Sequence, residues 1–395
     1  GPLDEDETEK YRLNIAAETE NSFIDDIGRD RLLVAPVLSW AVGEDTDITF
    51  ELEYSELPAD NNFGIPVRGT ILDNVNGEIS RSRYIGDADR EFRDINTLIV
   101  GYDVEHRIND DWEISNAYQF TSRQAPEFTV SGIELLADER TLERDYLEVS
   151  RFDTYSHLLE TNIVGRFNTG SIEHELLAGV EISFDRSPGE GSFGLANSID
   201  LFSPDDDELV LEPIDDVFQD EFSNRSLGIY LQDRIDILDN LTLLLGGRFD
   251  IATTRFEDFV FEESDFQQEE EFSPRVGIVY QPIPELSLYS SYSRSFIPNF
   301  FERGRNGEIF DSQRGNQFEI GAKADINDKL SLTLAYFDLS ITNVPTSDPE
   351  NTFFSIVTGR QRSQGVDLLA SGEILPGWNI IGGYTYNDAR VTEDT

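Results

Sequence analysis

The sequence predicts an all-β protein, a transmembrane antiparallel β-barrel, and two observations carry that prediction. The first is alternation of apolar and polar side chains, as in Leu330-Ser331-Leu332-Thr333-Leu334-Ala335-Tyr336 and Ile48-Thr49-Phe50-Glu51-Leu52-Glu53-Tyr54. A period of two gives a strand with one apolar face and one wet face. The second is the joints, which alternate between very short turns and long acidic loops. Short periplasmic turns and long outer loops are the pattern of a large outer-membrane barrel.

Taken in order, strands are expected near 10–20, 30–42, 46–56, 92–107, 112–124, 142–168, 172–185 and 223–237. Further strands are expected near 241–256, 271–281, 286–297, 315–326, 330–344, 352–374 and 378–391. Tight turns read at 43–45, 108–110, 169–171, 238–240, 282–285, 327–329 and 375–377. All are rich in Asn, Asp, Gly or Pro, the residues that supply turn geometry. The opposite connections, 57–91, 125–141, 186–222, 257–270 and 298–314, are longer and hold acidic clusters such as Asp205-Asp206-Asp207-Glu208. No composition shift marks a linker, so residues 1–395 read as one partial barrel domain.

The two faces are separable. Ile172, Leu176, Ala178, Val180, Ile182 and Phe184 share one side, against Glu173, Glu175, Gly179, Glu181 and Ser183. Leu227, Ile229, Leu231, Ile235 and Ile237 oppose Ser226, Tyr230, Gln232, Arg234 and Asp236. Both signs of charge on the polar side fit a wide hydrated lumen. Trp40, Trp112, Tyr280, Trp378 and Tyr384 sit at strand ends or on the apolar face, where interfacial girdles form. A soluble all-β protein would alternate too, with its apolar face buried. Its strands, however, run roughly 3–10 residues, well short of the reading at 352–374, and its connections are not sorted so regularly into short and long.

Composition narrows the function classes. The chain has 395 residues, with 79 acidic against 30 basic and a formal net charge of −49. Phosphate backbones would be repelled, which argues against nucleic acid. With no Cys there are no disulfides, thiolate metal sites or Cys nucleophiles. With no Met, no signal peptide and an opening at Gly1-Pro2-Leu3, an internal fragment of a longer precursor is expected. No apolar run approaches the roughly 18 residues of a membrane helix, a criterion that does not apply to barrel strands. His106, His157 and His174 are far apart, and there is no nucleophile elbow, phosphate loop or calcium loop. No enzyme activity, cofactor or metal site is expected.

Several segments, in order, carry a family resemblance. They are Thr169-Gly170-Ser171-Ile172-Glu173-His174-Glu175-Leu176-Leu177-Ala178-Gly179, Leu231-Gln232-Asp233-Arg234 and Leu245-Gly246-Gly247-Arg248-Phe249-Asp250. Phe272-Ser273-Pro274-Arg275-Val276-Gly277, Tyr289-Ser290-Ser291-Tyr292-Ser293-Arg294-Ser295-Phe296, Gln317-Phe318-Glu319-Ile320-Gly321-Ala322-Lys323 and Gln361-Arg362-Ser363-Gln364-Gly365-Val366-Asp367 follow. Together they resemble a TonB-dependent siderophore receptor, most like the ferrichrome-receptor group, with a cyanobacterial flavour. The junction Gly1-Pro2-Leu3 to Tyr11-Arg12-Leu13 resembles the point where such a receptor's plug ends and its barrel begins.

The resemblance implies a barrel of about 22 strands, of which about fifteen complete ones are expected here. The plug, the coupling box and roughly six C-terminal strands are expected to lie outside this piece. It also implies the outer membrane of a Gram-negative bacterium, outer-membrane lipid, and a TonB energy-coupling complex reached through the absent N-terminal region. The implied activity is energy-coupled uptake of a ferric siderophore of the ferrichrome or hydroxamate kind. The alternatives are an importer of cobalamin or oligosaccharide with the same fold, or a passive porin. In the loop after the third strand, the matching residues are Gly64-Ile65-Pro66 and Asn76-Gly77 leading to Ser80-Arg81-Ser82-Arg83. A chelate that already saturates its iron needs aromatic surface and hydrogen-bond donors, not metal ligands. Phe63, Arg81, Arg83 and Tyr84 in loop 57–91, and Phe300, Phe301, Arg303 and Arg305 in loop 298–314, offer both.

Overall fold

The computed structural model describes residues 1–25, 27–58, 63–203, 209–212, 217–299, 303–307, 309–326 and 329–393. The strands are β1 (Glu9–Asn21), β2 (Gly28–Val42), β3 (Thr46–Glu56), β4 (Phe92–Arg93), β5 (Asn96–Arg107) and β6 (Trp112–Gln124). Then come β7 (Glu127–Leu135), β8 (Thr141–Thr169), β9 (Ile172–Asp200), β10 (Val217–Leu238), β11 (Leu241–Asp258) and β12 (Glu263–Ile283). The last are β13 (Leu286–Ile297), β14 (Gln313–Ile326), β15 (Leu330–Asp348), β16 (Asn351–Leu375) and β17 (Trp378–Glu393).

The long strands form one antiparallel meander. β1 pairs β2, β2 pairs β3, and β3 pairs β5, which pairs β6. β6 pairs β8, and from β8 to β17 each strand pairs the next. Among the described strands β1 pairs only with β2, and β17 only with β16; residues 1–3 add a short bridge to the first residues of β1. Every expected strand has a counterpart, one of them broken in two, and the tight turns fall where expected, except that residues 327 and 328 of the expected turn 327–329 lie outside the described residues. At Gly170 and Gly377 the turn needs the left-handed conformation (φ 70° and 78°), which a residue without Cβ adopts freely.

The differences lie at the long-loop end. The expected strand 92–107 breaks at Asp94-Ile95. Phe92 and Arg93 leave the meander to pair Phe128 and Glu127 of β7, a strand inside the expected loop 125–141 that lies on the upper part of β8. Loop 257–270 is in fact the paired ends of β11 and β12, joined at 259–262. Loop 186–222 shrinks likewise as β9 runs on to Asp200 and β10 begins at Val217. Outside a bilayer neither face must be apolar, so the alternation fades while backbone pairing continues.

The dry core sits at this end as well. Ile79 and Ile85 of the loop after β3 pack with Leu142 and Leu201, flanked by Ile65, Leu135, Ile199 and Phe202. Beside them Phe128, Val130, Tyr146, Ala196 and Leu209 form a second cluster. The wall proper is one sheet thick. Its apolar side chains are exposed, as a lipid-facing barrel surface requires.

Candidate functional site

The inner wall, from the short-turn end upward, is the candidate site. Across β9 to β12 the register runs unbroken between Glu173 and Ser192, so the faces follow by parity. One row of the outer face is Ala178, Leu231, Gly247 and Pro274, and another is Val180, Ile229, Phe249 and Phe272. This band continues through Val276, Tyr292 and Phe318, and through Ile320, Tyr336, Val366 and Tyr386. Glycines seat neighbouring rings on both faces. A Cβ at Gly165 would meet the Trp112 ring, and one at Gly247 the Phe272 ring, on the outside; one at Gly179 would meet Tyr230 on the inside.

The opposite face is polar and cross-linked. Tyr230 donates its hydroxyl to Asn162 Oδ1 at 2.6 Å and reaches Glu160 at 3.2 Å. Arg248 lies over the Tyr230 ring at 5.5 Å and donates to Glu181 and Asp250, each at 2.7 Å. Further round, Tyr289 donates to Glu319 at 2.6 Å, with Lys323 5.6 Å from the ring centroid. Burying such groups without partners costs about 1–3 kcal/mol each. The bonds therefore stiffen a wall that faces water.

Higher up, the polarity of the sheet inverts. On the inner parity of β9 lie Phe193 and Leu195, still 49% and 44% exposed. Phe218 stands opposite Gly191, and Phe222 opposite Ser187 and Phe256, all on that face. The same register places Asp220 opposite Gly189 and Asp258, and Asp258 opposite Glu263. Burial, with Asp258 close by, pushes the Asp220 carboxyl up. Meanwhile the outer face turns charged. Arg186 makes a forked pair with Glu221 (2.5 and 2.7 Å), Arg255 bonds Glu257 at 2.8 Å, and Arg225 lies over Phe184 at 5.3 Å. This is the sequence of environments crossed on leaving a bilayer: apolar outside becomes charged outside, and rings move to the inside. Sequence reading missed this wall because it placed 186–222 and 257–270 in loops. The signal was there in Phe193-x-Leu195 and Phe218-x-x-x-Phe222, whose phase is opposite to that of the strands below.

The predicted loop residues divide into two kinds. In the loop after β3, Arg83 donates through Nε to the Leu201 carbonyl at 3.2 Å, and Tyr84 bonds Glu91. Glu91 also accepts from the Asp87 and Val130 amides at 2.9 and 3.1 Å, while burial holds its carboxyl above the usual range. Nearby Arg144, 5% exposed, donates to the carbonyls of Ile85 (2.9 Å) and Asn197 (2.8 Å). Arg83 and Tyr84 thus hold the loop to β7–β9, whereas Phe63 and Arg81 are exposed. In the second loop Arg303 pairs with Asp265 of β12, and Arg305 with Asp348 of β15 and Glu350. Asn299 Nδ2 donates to the Asn343 carbonyl at 3.1 Å, and Asn343 Nδ2 to that of Ser312 at 2.9 Å, pinning both ends. Phe300 and Phe301 lie outside the described residues. Among the described residues no group of His, Asp and Glu has the arrangement of a metal site.

Comparison with known proteins gives a consistent picture. The family described as TonB dependent receptor-like, β-barrel matches residues 39–395. A metal-pseudopaline receptor of Pseudomonas aeruginosa is 32% identical over all of this chain and 56% of its own length. The ferrichrome outer membrane transporter/phage receptor of Escherichia coli K12 is 27% identical, with the same coverage. The chain therefore spans just over half the length of these relatives. In fold it is similar to the closed form of the ferric-catecholate import receptor Fiu of E. coli K12 (TM-score 0.80, 20% identity, 98% of this chain and 62% of that one). It is similar also to the ferripyoverdine receptor of P. aeruginosa bound to ferripyoverdine (TM-score 0.79, 23% identity, 100% and 54%).

Proposed function

The chain belongs to the TonB-dependent receptor β-barrel family, and we propose that it forms part of the barrel of an outer-membrane receptor that imports ferric siderophores with energy from a TonB complex. The inversion of polarity along β9–β12 carries this reading. A lipid-facing apolar band, a hydrated inner wall and an aromatic inner rim above it suit a protein that takes an organic chelate from outside and passes it through a lumen. Relatives named for ferrichrome, ferrioxamine B and ferripyoverdine support iron chelates as the cargo. That β1, beyond its bridge to residues 1–3, and β17 each pair with one strand among the described residues supports a wall completed by strands beyond these two, because lipid leaves unpaired backbone groups unsatisfied. The plug and coupling box belong, in this reading, to the rest of the receptor.

In this reading Phe63 and Arg81, both exposed, meet cargo from above, as do Phe300 and Phe301, which lie outside the described residues. Arg83, Tyr84, Arg303 and Arg305 support the site by holding loops in place. The test is equilibrium binding of ferric hydroxamates, citrate and catecholates to the full-length receptor in detergent, with iron uptake by cells carrying it. Binding of at least one chelate, and uptake abolished when the proton gradient is collapsed, is expected. No binding by any chelate overturns the cargo. Uptake that survives loss of the gradient favours a passive pore.

A further inference from the structure

The upper inner wall has a charge as well as an aromatic surface. Gly189, Asp220, Asp258 and Glu263 form one register row across β9, β10, β11 and β12. Immediately beside this row, on the same face, stand Phe218 and Phe222 of β10 and Phe256 of β11, with Phe193 and Leu195 above on β9. The glycines keep the surface shallow: a Cβ at Gly189 would lie 2.6 Å from the Asp220 carboxylate, and one at Gly191 2.6 Å from the Phe218 ring.

The cations of this region are engaged with partners other than these three carboxylates. Arg186, Arg225 and Arg255 are on the outer face, engaged with Glu221, the Phe184 ring and Glu257. Arg303 does reach this face, where it is taken up by Asp265, opposite Phe256 in the row beside the carboxylates, and both Arg294 and Arg314 pair with Glu271. Lower on the inner wall, Arg248 is held between Glu181 and Asp250. Arg275 is the next inner-wall cation, further still toward the short-turn end. Among the described residues no cation pairs with Asp220, Asp258 or Glu263.

We propose that this face is a docking surface for a metal chelate with an apolar organic frame and a net positive charge, and that it discriminates against anionic chelates. The inference rests on the reading of the protein as a ferric-siderophore receptor and adds the charge class of the cargo. The rings contact the apolar frame, and a protonated amine on the chelate lies over a ring or against a carboxylate, both favourable for a cation. An anionic chelate meets the same carboxylates with the wrong sign, and like-charge juxtaposition is a strong basis for exclusion.

The test uses one chelator in three charge states. Ferrioxamine B carries a free amine remote from the iron; N-acetylation makes the complex neutral, and N-succinylation makes it anionic. Dissociation constants are measured on the full-length receptor at low and high salt, with ferrichrome, ferric citrate and a ferric catecholate alongside. The expected order of affinity is cationic, neutral, anionic, with about tenfold between the extremes at low salt and a smaller ratio at high salt. In Asp220→Asn/Asp258→Asn the ratio should fall toward one while the neutral complex binds as before, which also shows that the variant is folded. If no ferric chelate binds at all, the siderophore reading fails, and this inference fails with it. If chelates bind but the neutral or anionic form is preferred, if only citrate or catecholate binds, or if the double variant keeps the full ratio, the siderophore reading stands and the charge assignment is overturned.

Discussion

Arg305 grips Asp348 at two points: Nη2 donates to Oδ1 at 2.6 Å and Nε to Oδ2, while Nη1 reaches Glu350 at 2.8 Å. The pair ties the loop after β13 to the end of β15 across a gap in sequence that no local pattern reveals. Arg305 holds the Asp348 carboxyl below the usual Asp range, and Asp348 in turn raises the Arg305 guanidinium.

That pair makes the loop acid-sensitive. A carboxyl whose folded pKa lies below its unfolded value contributes stability above the unfolded value and loses it as pH falls through the folded one. Protection of residues 303–307 against hydrogen exchange, taken relative to the intrinsic rate at each pH, should therefore be high at pH 7 in the full-length receptor and fall below pH 4. In Asp348→Asn protection should be low at both. A wild-type loop equally protected at pH 7 and pH 3 would contradict this.

Glu91 predicts the opposite sign. Burial raises its carboxyl, against the bonds from Tyr84, Asp87 and Val130. A raised folded pKa means that folding takes up a proton, so the docking of residues 63–95 on β7–β9 should tighten as pH falls through that raised value. Glu91→Gln keeps an acceptor oxygen and removes the charge. It should hold the loop at pH 7 about as well as wild type does in mild acid, read as exchange protection at the Val130 amide. Loosening of the loop in wild type on mild acidification, with Glu91→Gln unprotected at every pH, would show that the ionised carboxylate is what holds it.

Gly191 predicts where the aromatic wall is fragile. A Cβ there would stand 2.3 Å from the Glu148 carbonyl oxygen, which is backbone, and 2.6 Å from the Phe218 ring. The ring could turn away, but the β8–β9 pairing could not, so Gly191→Val should cost about 1–3 kcal/mol through overpacking. The damage should stay at the upper end of β8–β10. Protease sensitivity should appear near residues 141–152 and 189–200, while the heat-modifiable gel mobility of the barrel persists.

How much of this was legible beforehand follows from the same physics. Leu332, Leu334 and Tyr336 were readable because lipid demands an apolar residue at every second position. The inner network of Tyr230, Glu160, Arg248 and Glu181 was readable as a polar face, though not as bonds, since its bonded partners are 67 and 70 residues apart. Strand β7 and the upper ends of β9–β12 were not readable as strands. There the phase of the apolar residues reverses, as Phe222 and Leu227 show, and the intervening acids look like loop. The arginines of both loops were visible as donors. Which of them were already engaged depended on partners such as Leu201 and Asp348, fixed only by the fold.

The face assignment itself yields the sharpest test. Leu231 and Gln232 are neighbours in β10 near the middle of the apolar band, and the register puts them on opposite sides of a wall one residue thick. Arg at position 231 would place a charge in the lipid, which costs about 2–4 kcal/mol at the bilayer midplane. Arg at position 232 would project into water beside Gly246, in a lumen that already holds Glu181 and Asp250, and should cost far less. Reversible unfolding of the full-length receptor in phospholipid bilayers should rank Leu231→Arg well below Gln232→Arg in stability. The reverse order would mean that the two faces are assigned the wrong way round. The aromatic rim of Phe193, Phe218, Phe222 and Phe256 would then point away from the lumen, and the cargo surface proposed on it would be lost.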